Sequence, residues 1–497
     1  MTDRVASGSR DRRSNSSRGP SGGDPRRVAF QALRAVSVDG AYANLVLPRL
    51  VADAGLDSRD ASLATELGYG TVRATGTLDE ILRQCSSRDL ADIDGAVLDV
   101  LRLGAYQLLR TRVPAHAAVA TTVDLARATG NARAAGFVNA VLRKVGARDF
   151  DAWCDRIGRD ASPAGKLALR YCHPGWIVGA FADALGGEHV AEEPPAEEPP
   201  DEELAGEELA GEELAGEEFD ELEAALAADD ARPETHLVAW PGRLERSALI
   251  EQAGGIATPF SPYGVRLSEG GDPASVAAIR EHRAGVQDEG SQLCALALTR
   301  LEITGPDTRW LDLCAGPGGK AAMLAALAST RGAQLTANEL HPHRAKLVAQ
   351  VTEGWDVRID IGDARELADE QGYDRILLDA PCSGLGALRR RPEARWRRGP
   401  DDLAELIVLQ TELIDAAVRL LRPGGVLGYV TCSPHLAETI QQVHAALDRH
   451  PDLRLVDARP AFAEVSGLTD TPTVQLWPHR QGTDAMFFAG LRRVESP

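Results

Sequence analysis

Lysine, aromatic residues and long apolar runs are scarce in this chain. Its 497 residues include 54 Lys and Arg residues, but only Lys144, Lys166, Lys320 and Lys346 are lysine, and 5% of the chain is aromatic. The longest unbroken apolar run covers residues 321–328, whereas a membrane-spanning helix needs about twenty apolar residues. The pattern therefore excludes a transmembrane helix, and the arginine excess by itself is weak support for nucleic-acid binding.

Cysteine is also scarce, with seven residues, and no two of them form a CxxC pair. An odd number without that spacing argues against a disulfide framework and against a zinc site, so we expect no metal. Residues 1–23 are rich in Ser, Gly and Arg but lack an apolar stripe. We expect a disordered tail on a cytoplasmic protein.

Acidic residues are concentrated in one segment. The chain has a net charge of −20, but residues 192–230 contain 18 Asp and Glu and no Lys or Arg, which leaves −2 for the remainder. The pentapeptide EELAG occurs three times in tandem from Glu202. Such low-complexity sequence predicts that residues 191–232 are a linker that is disordered or forms a frayed helix. The alternative is an acidic RNA mimic that competes for the protein's own basic groove.

Helical patterning covers the first part of the chain. Asp24-Pro25 is a typical helix start, and apolar residues recur at spacings of three and four near 58–84, 94–110, 115–129 and 132–145. We expect an all-helical domain at 24–150 and a helical connector at 151–190.

The remainder alternates strands and helices. Residues 233–284 read as a small α/β module, with an extended segment at 235–240, helices near 245–253 and 273–283, and a turn at 261–264. From residue 285 to 497, the segments TRWLDLCA, AQLTANEL, VRIDIG, DRILLDA and GGVLGYVT alternate with helices. This order predicts an α/β doubly wound, Rossmann-like parallel sheet. TVQLWPH and DAMFFAGLRRV predict a closing antiparallel hairpin.

A glycine-rich turn follows the first of these strands, in residues 311–320, LDLCAGPGGK. Glycines there let the backbone approach a nucleotide-like ligand, and Glu339, 23 residues after Gly316, can accept both ribose hydroxyls. An ATP-binding P-loop is excluded, because it needs glycine where Cys314 stands and Ser or Thr where Ala321 stands. A dinucleotide fingerprint and a purely structural tight turn stay open.

Two thiols and an acid follow later strands. Asp379 and Cys382 come just after the fourth strand, and Cys432 follows the fifth. Since the carboxyl ends of parallel strands meet at one edge, where ligands of such sheets bind, we expect all three side chains there. Four other cysteines lie inside predicted elements, and we interpret them as small buried hydrophobic residues: Cys85, Cys154, Cys172 and Cys294.

The motifs resemble a known family. Residues 314–320 (CAGPGGK), 379–384 (DAPCSG), 431–433 (TCS) and 286–293 (VQDEGSQL) are similar, in order, to motifs of RNA cytosine-C5 methyltransferases that use S-adenosylmethionine. The helical first 150 residues resemble NusB-like RNA-binding domains. This pairing is similar to bacterial enzymes that methylate 16S ribosomal RNA.

The resemblance implies residue roles. Cys432 attacks the cytosine, Cys382 assists release, and Asp379 contacts the base. Argument from the residues alone leaves the two thiol roles open, because both lie at the same edge. The implied S-adenosylmethionine-binding set is Cys314, Ala315, Gly316, Pro317, Gly318, Gly319, Lys320, Glu339, Asp363 and Asp379, in which Glu339 holds the ribose and Asp363 the adenine. Asp363 could instead be only a helix N-cap.

Covalent chemistry accounts for paired thiols. Cytosine carbon 5 accepts a methyl group readily only after a thiolate adds to carbon 6, with an acid assisting at ring nitrogen 3. The thiolate must afterwards be expelled, which is a task for a second cysteine. The sequence thus predicts 5-methylcytosine formation through a cysteine–cytosine adduct.

RNA needs a positive path to this edge. Residues 388–398, LRRRPEARWRR, carry six arginines that could pair with phosphates, and Trp396 could stack on a base, although a solvated loop is the alternative. A second basic surface on the helical domain is expected from Arg26, Arg27, Arg34, Arg110, Arg112, Arg143 and Lys144.

Two departures from the family pattern concern fine positioning. The family's Glu-Asn pair stands here as Glu438-Thr439, and its D-G-F-F motif as Asp484-Ala-Met-Phe-Phe488.

The expected partner is 16S ribosomal RNA or a small-subunit assembly particle. We expect no membrane partner and a monomeric protein. Alternatives are a transfer RNA substrate, a protein or small-molecule methylase, and a non-catalytic NusB-like assembly factor.

Overall fold

A computed structural model describes residues 23–187, 216–268 and 273–494. The predicted tail and the EELAG repeats, up to residue 215, lie outside these ranges. The chain divides into two compact units, residues 1–71 with 91–144 and residues 72–90 with 145–497. Each unit is described by itself below.

The first unit is helical, as predicted. Its helices are α1 (Pro25–Asp39), α2 (Ala43–Asp53), the first half of α3 (Ser58–Cys85), α4 (Gly95–Arg110), α5 (Ala115–Ala128) and α6 (Ala135–Val145). Asp24 caps α1 by accepting a hydrogen bond from the Arg26 amide at 3.0 Å. Val28, Leu33, Val100 and Leu101 are among the residues that fill the core.

The second unit begins with four more helices after α3: α7 (Phe150–Ile157), α8 (Pro163–Arg170), α9 (Gly175–Gly187) and α10 (Gly216–Asp230). For residues 216–230 the structure selects the helical alternative, but α10 is packed and not frayed, which corrects that part of the prediction. Leu222, Ala225 and Leu226 are fully buried in the core that includes α9. Apolar residues at helical spacing therefore outweigh the acidic composition in this part of the segment.

The small module contains more strand than predicted. Its elements are β1 (His236–Ala239), α11 (Arg246–Ala253), β2 (Gly255–Ala257), β3 (Gly264–Leu267), α12 (Ala277–Arg280) and β4 (Ala284–Val286). The strands form an antiparallel sheet in the order β2-β3-β1-β4. The extended segment, the first helix and the turn are confirmed, but the second helix is only one turn long.

The large sheet confirms the predicted doubly wound fold. Its elements are α13 (Glu289–Arg300), β5 (Arg309–Asp312), α14 (Gly319–Arg331), β6 (Gln334–Glu339), α15 (Pro342–Val351), β7 (Val357–Ile361), β8 (Tyr373–Asp379), α16 (Ala394–Arg397), α17 (Pro400–Leu420), β9 (Leu421–Thr431), α18 (Ile440–Arg449), β10 (Leu453–Val456), β11 (Val474–Gln475), α19 (Pro478–Gln481) and β12 (Phe487–Arg493).

The strand order is β10-β12-β9-β8-β5-β6-β7, and β11 pairs with β12. Strands β5 to β9 are parallel, whereas β12 is antiparallel to β9, which confirms the closing antiparallel strands; β10 was not predicted. The chain first builds outward from β5 to β7 and then returns to β8. The switch point therefore lies between β5 and β8, and their carboxyl ends frame the expected ligand crevice.

Candidate active site

The glycine-rich turn joins β5 to α14 and lies against the end of β6. The Gly316 amide donates a hydrogen bond to Glu339 Oε2 at 3.0 Å. A Cβ atom at position 316 would lie 2.1 Å from that oxygen, and Gly318 has a φ of +116°. Only glycine fits both positions, so the turn exposes backbone at the switch point.

Asp312, the last residue of β5, was missed by sequence reasoning. Its side chain is fully buried, and in the part of the chain that the structure describes no side chain donates to either carboxylate oxygen, so that the Cys314 backbone amide is its only protein donor. Burial, together with repulsion from Asp379, raises the pKa of Asp312 to about 8. The sequence signal was its place at the strand end that feeds the turn. A buried acid with a single backbone donor has capacity for a further donor.

The next two strand ends present acids and exposed apolar side chains. Glu339 ends β6 and pairs across the sheet with Ile361, which ends β7 and is 57% exposed. Leu340 follows Glu339 and is 52% exposed. Exposed apolar side chains beside the carboxylates of Glu339 and Asp363 suit a flat ring that also forms hydrogen bonds. Sequence analysis did not identify Leu340 and Ile361.

Asp363 follows β7 and serves as a helix cap, which was the alternative interpretation. It accepts a hydrogen bond from the Arg365 amide at 3.0 Å and forms an ion pair with the Arg365 guanidinium at 2.6 Å. These contacts lower the pKa of Asp363 to about 2. Its carboxylate still lies at the edge where the adenine acid was predicted, so the ligand role stays a prediction.

The two predicted thiols lie together. Cys382 Sγ and Cys432 Sγ are 3.4 Å apart. The hydrogen bond with Cys382 lowers the pKa of Cys432, and the Lys320 ammonium acts in the same direction. The same hydrogen bond raises the pKa of Cys382, and burial and the Glu438 carboxylate add to this. The pair is therefore asymmetric, with the thiolate favoured at Cys432.

Asp379 lies at the same edge and contacts Lys320. The Lys320 ammonium is 2.9 Å from Asp379 Oδ1, so this lysine faces the predicted base-contacting acid, although sequence reasoning assigned it to the cofactor loop. Burial alone would lower the pKa of Lys320, but the Asp379 carboxylate outweighs this and raises it. The edge thus holds two thiols and a charged pair side by side.

The departures from the family pattern contact the loops that carry the thiols. Thr439, which stands in place of the family's Asn, is buried, and its hydroxyl donates to the His435 carbonyl at 3.0 Å. Its neighbour Glu438, which matches the family's Glu, is also buried and accepts a hydrogen bond from the Ser383 amide at 2.7 Å. The Ala485 amide donates to the Gly386 carbonyl at 2.8 Å. Positions 439 and 485 therefore contact the loops directly, more closely than the sequence indicated.

The arginine segment is mainly structural, which corrects the prediction of a phosphate path. Arg395 is fully buried and lies 2.8 Å from Asp229 Oδ2. Arg389 pairs with Asp484 at 2.9 Å, and Arg390 pairs with Asp288 at 2.7 Å. Pairing to acids from other elements explains why a run of like charges folds inward.

Trp396 also has a structural role, and its stacking on a base stays a prediction. Its indole N–H donates to the Arg73 carbonyl at 3.0 Å, and its ring lies against Gly76. Arg391, Arg397 and Arg398 are exposed, and RNA contact by these three stays a prediction.

The remaining predicted residues give a mixed picture. Cys85, Cys154, Cys172 and Cys294 are buried, as expected. In the first unit, Arg34 pairs with Asp99 at 2.9 Å and Arg26 donates to Gln107 at 2.9 Å, and a basic RNA surface there stays a prediction.

Among the residues described, no helix is long and apolar enough to cross a membrane, and no acid, Cys or His cluster is arranged to hold a metal ion.

Comparison with known proteins gives two family matches. Residues 299–492 match the family described as 16S rRNA methyltransferase RsmB/F, and residues 24–147 match the NusB family. The crystal structure of PH0851 has a TM-score of 0.74 and 20% sequence identity, and the match covers 95% of this chain and 98% of that chain. That likeness concerns the fold.

Curated relatives match over nearly the whole length. A putative methyltransferase of Mycobacterium tuberculosis is 51% identical over 475 residues, which cover 95% of this chain and 97% of that protein. A probable ribosomal RNA small subunit methyltransferase B of Bacillus subtilis is 31% identical over 489 residues, which cover 94% of this chain and 98% of that protein. The chain therefore belongs to the RsmB/F family of 16S rRNA methyltransferases, which are S-adenosylmethionine-dependent, and it carries a NusB-family domain.

Proposed function

We propose that this protein transfers a methyl group from S-adenosylmethionine to carbon 5 of one cytosine in 16S ribosomal RNA, through a covalent adduct on Cys432. One observation carries the proposal: two thiols 3.4 Å apart lie beside the Asp379–Lys320 pair, at the sheet edge that also holds the glycine-rich turn. A methyltransferase acting on an already nucleophilic atom needs neither thiol.

The residues fit the cofactor. The backbone of Cys314 to Gly319 forms a cradle with no room for a side chain at Gly316, and the Glu339 carboxylate beside it suits the ribose hydroxyls. The Asp312 carboxyl group, which no protein side chain contacts by a hydrogen bond in the described residues, suits the ammonium group of the methionine part. Asp363, Leu340 and Ile361 would hold the adenine.

The protein's own groups account for each stage of the reaction. The Cys432 thiolate adds to carbon 6, and the electron pair of the carbon 5–carbon 6 double bond becomes available at carbon 5. The Lys320–Asp379 pair supplies the proton at ring nitrogen 3: the Lys320 ammonium, 2.9 Å from Asp379 Oδ1, gives a proton to that carboxylate, and the resulting carboxylic acid donates it to nitrogen 3. When bound, S-adenosylmethionine supplies the methyl group to carbon 5 and is converted to S-adenosylhomocysteine.

Release then reverses the addition. The carbon 5 proton is lost to water, its electron pair restores the double bond, and the bond from carbon 6 to Cys432 Sγ breaks with its pair returning to sulfur. The Cys382 thiol, held 3.4 Å away, donates a hydrogen bond to the departing sulfur. The Lys320 charge beside Cys432 and the Glu438 charge beside Cys382 support this division of roles.

The substrate proposal rests on the relatives. Proteins named ribosomal RNA small subunit methyltransferase B match almost end to end, and the NusB-family domain offers a second RNA-binding part. We infer a monomeric, cytoplasmic enzyme that acts on 16S RNA or on an assembling particle. The target cytosine must be unstacked to reach both thiols.

A labelling experiment tests the proposal. Purified protein is incubated with tritiated S-adenosylmethionine and unmodified 16S RNA, transfer RNA or free cytidine, and labelled RNA is mapped by bisulfite sequencing. We expect label at one cytosine of 16S RNA. Label in transfer RNA would reassign the substrate, and no label in any RNA would contradict the proposed reaction.

A further inference from the structure

Glu438 is a buried carboxylate without a counter-charge. It is fully buried on the short turn Leu436–Glu438, and no ion-pair partner for it occurs in the described part of the chain. Burying an ionised carboxylate is costly unless hydrogen bonds satisfy it. A buried carboxylate at this position, between the two loops that carry the thiols, therefore indicates a specific role.

Three hydrogen bonds hold this carboxylate. The Ser383 amide donates to Oε1 at 2.7 Å, the Ser383 hydroxyl donates to Oε2 at 2.5 Å, and Gln410 Nε2 donates to Oε1 at 3.1 Å. Ser383 directly follows Cys382, and Gln410 also donates to the carbonyl of Pro381, directly before Cys382, at 2.9 Å. The Cys382 backbone is thus fastened on both sides.

The same contacts join the Cys382 loop (residues 380–386) to the Cys432 loop (residues 432–435). Ser383 Oγ and Ser433 Oγ are 3.2 Å apart, and the Gly386 amide donates to the Cys432 carbonyl at 2.9 Å. Glu438 follows the Cys432 loop and reaches across to Ser383. Its carboxylate therefore bridges the two loops whose thiols must cooperate.

We propose that Glu438 is a positioning residue that holds the Cys382 thiol against the Cys432 thiol, so that Cys382 can assist release of the cytosine adduct. This inference rests on the proposed roles of the two cysteines. Charged groups near the thiols are Asp379, Lys320, Arg391 and Glu438 itself, with the buried Cys294 nearby. Loss of the bridge should therefore impair release more than attack.

The test compares variants in a denaturing gel that separates free protein from protein bound covalently to 16S RNA. Cys382→Ala serves as the reference for trapped adduct. Glu438→Ala is expected to accumulate adduct and to lower the rate of methylated RNA release by at least about tenfold, since small misplacements of reacting groups have effects of this size. Asp448→Ala, an exposed acid on α18, is expected to behave like the wild type.

A conservative variant separates positioning from general damage. Gln at position 438 can still accept from the Ser383 amide and donate to its hydroxyl, so Glu438→Gln should restore release. Ser383→Ala, which removes a single hydroxyl, should give an intermediate level of adduct. S-adenosylmethionine binding measured by calorimetry should be unchanged in all three variants if the fold is intact.

The outcomes separate this inference from the proposed function. If Cys382→Ala traps no adduct, the proposed thiol roles fail. If Cys382→Ala traps adduct while Glu438→Ala loses attack and release together, the positioning role is overturned although the proposed function stands. If Glu438→Gln traps as much adduct as Glu438→Ala, the carboxylate acts through its charge and the bridge is not the cause.

Discussion

At the residue scale, two thiols whose sulfur atoms lie 3.4 Å apart form one titrating unit, so changing one alters the other. Lys320 lies beside Cys432 and favours its thiolate, whereas Glu438 lies beside Cys382 and favours its thiol. An attacking group and a releasing group need these different protonation states. The two cysteines should therefore respond to substitution in opposite ways.

The first prediction concerns these two cysteines. With 16S RNA and S-adenosylmethionine, Cys382→Ala should accumulate a covalent RNA complex because release is lost, and Cys432→Ala should form none because attack is lost. Denaturing gel electrophoresis measures both. Cys294→Ala, a buried cysteine outside the proposed chemistry, is the matched control. Complex with Cys432→Ala and none with Cys382→Ala would reverse the roles.

The second prediction concerns pH and Asp312. Burial raises its pKa to about 8 in the folded protein, whereas an unfolded Asp has a pKa of about 3.9. The folded chain keeps a proton that the unfolded chain has lost, so this contribution to stability is complete below about pH 3.9 and is lost as the pH rises to about 8.

Asp312→Asn removes that ionisation, and cofactor-free variant protein should lose less stability than the wild type between pH 5 and 8. Urea unfolding at a series of pH values measures the difference. Asp448→Asn, at an exposed position, should follow the wild type. Equal slopes for Asp312→Asn and the wild type would contradict a buried, protonated Asp312.

Residue positions were predictable where strand ends fix them. Asp379, Cys382 and Cys432 follow parallel neighbouring strands, and the structure brings them to one edge. Asp312 was missed because an acidic side chain at a strand end is expected to be exposed to solvent, and the sequence does not reveal that it is buried. Lys320 was assigned to the cofactor because sequence spacing does not reveal that its ammonium faces Asp379.

At the element scale, helix α10 decides how the acidic segment is understood. Leu226 is fully buried in the core that α10 shares with α9, so Leu226→Ala should lower the free energy of unfolding by about 2–5 kcal/mol. Chemical denaturation monitored by circular dichroism measures this. Leu347→Ala, at a leucine that is 43% exposed, should change it by less than about 0.5 kcal/mol. An equally small effect at Leu226 would mean that α10 does not dock.

Strands and helices differ in how far the sequence reveals them. Strands β5, β6, β8 and β9 were predicted because buried parallel strands read as apolar runs between helical patterns. Strands β2, β3 and β4 have only three or four residues each, too few to show alternation. For helix α10 it was the packing that was missed, because the acidic composition masked the spacing of Phe219, Leu222 and Leu226.

The arginine segment shows a different limit. Arg389, Arg390 and Arg395 pair with Asp484, Asp288 and Asp229, which are distant in sequence. Arginine suits buried carboxylates as well as phosphates, so composition alone does not separate the two uses. Only the tertiary partners do.

At the scale of the whole molecule, each part contributes a different requirement of RNA methylation. The doubly wound sheet gathers the glycine-rich turn and a pair of thiols at one edge, and residues 24–147 match the NusB family; the proposed function assigns cofactor binding and catalysis to the first and RNA binding to the second. The motif order made the family predictable from the sequence. The choice of cytosine was not predictable, because no residue pattern encodes a unique RNA site.

Mass spectrometry of the trapped complex identifies the residue that carries the RNA adduct. Cys382→Ala protein is incubated with 16S RNA and S-adenosylmethionine, digested with trypsin and nuclease, and the cross-linked peptide is sequenced. We expect a methylated cytidine nucleotide attached to Cys432 Sγ. Methylated RNA formed together with a nucleotide attached to any other residue, or with no attached nucleotide, would contradict it.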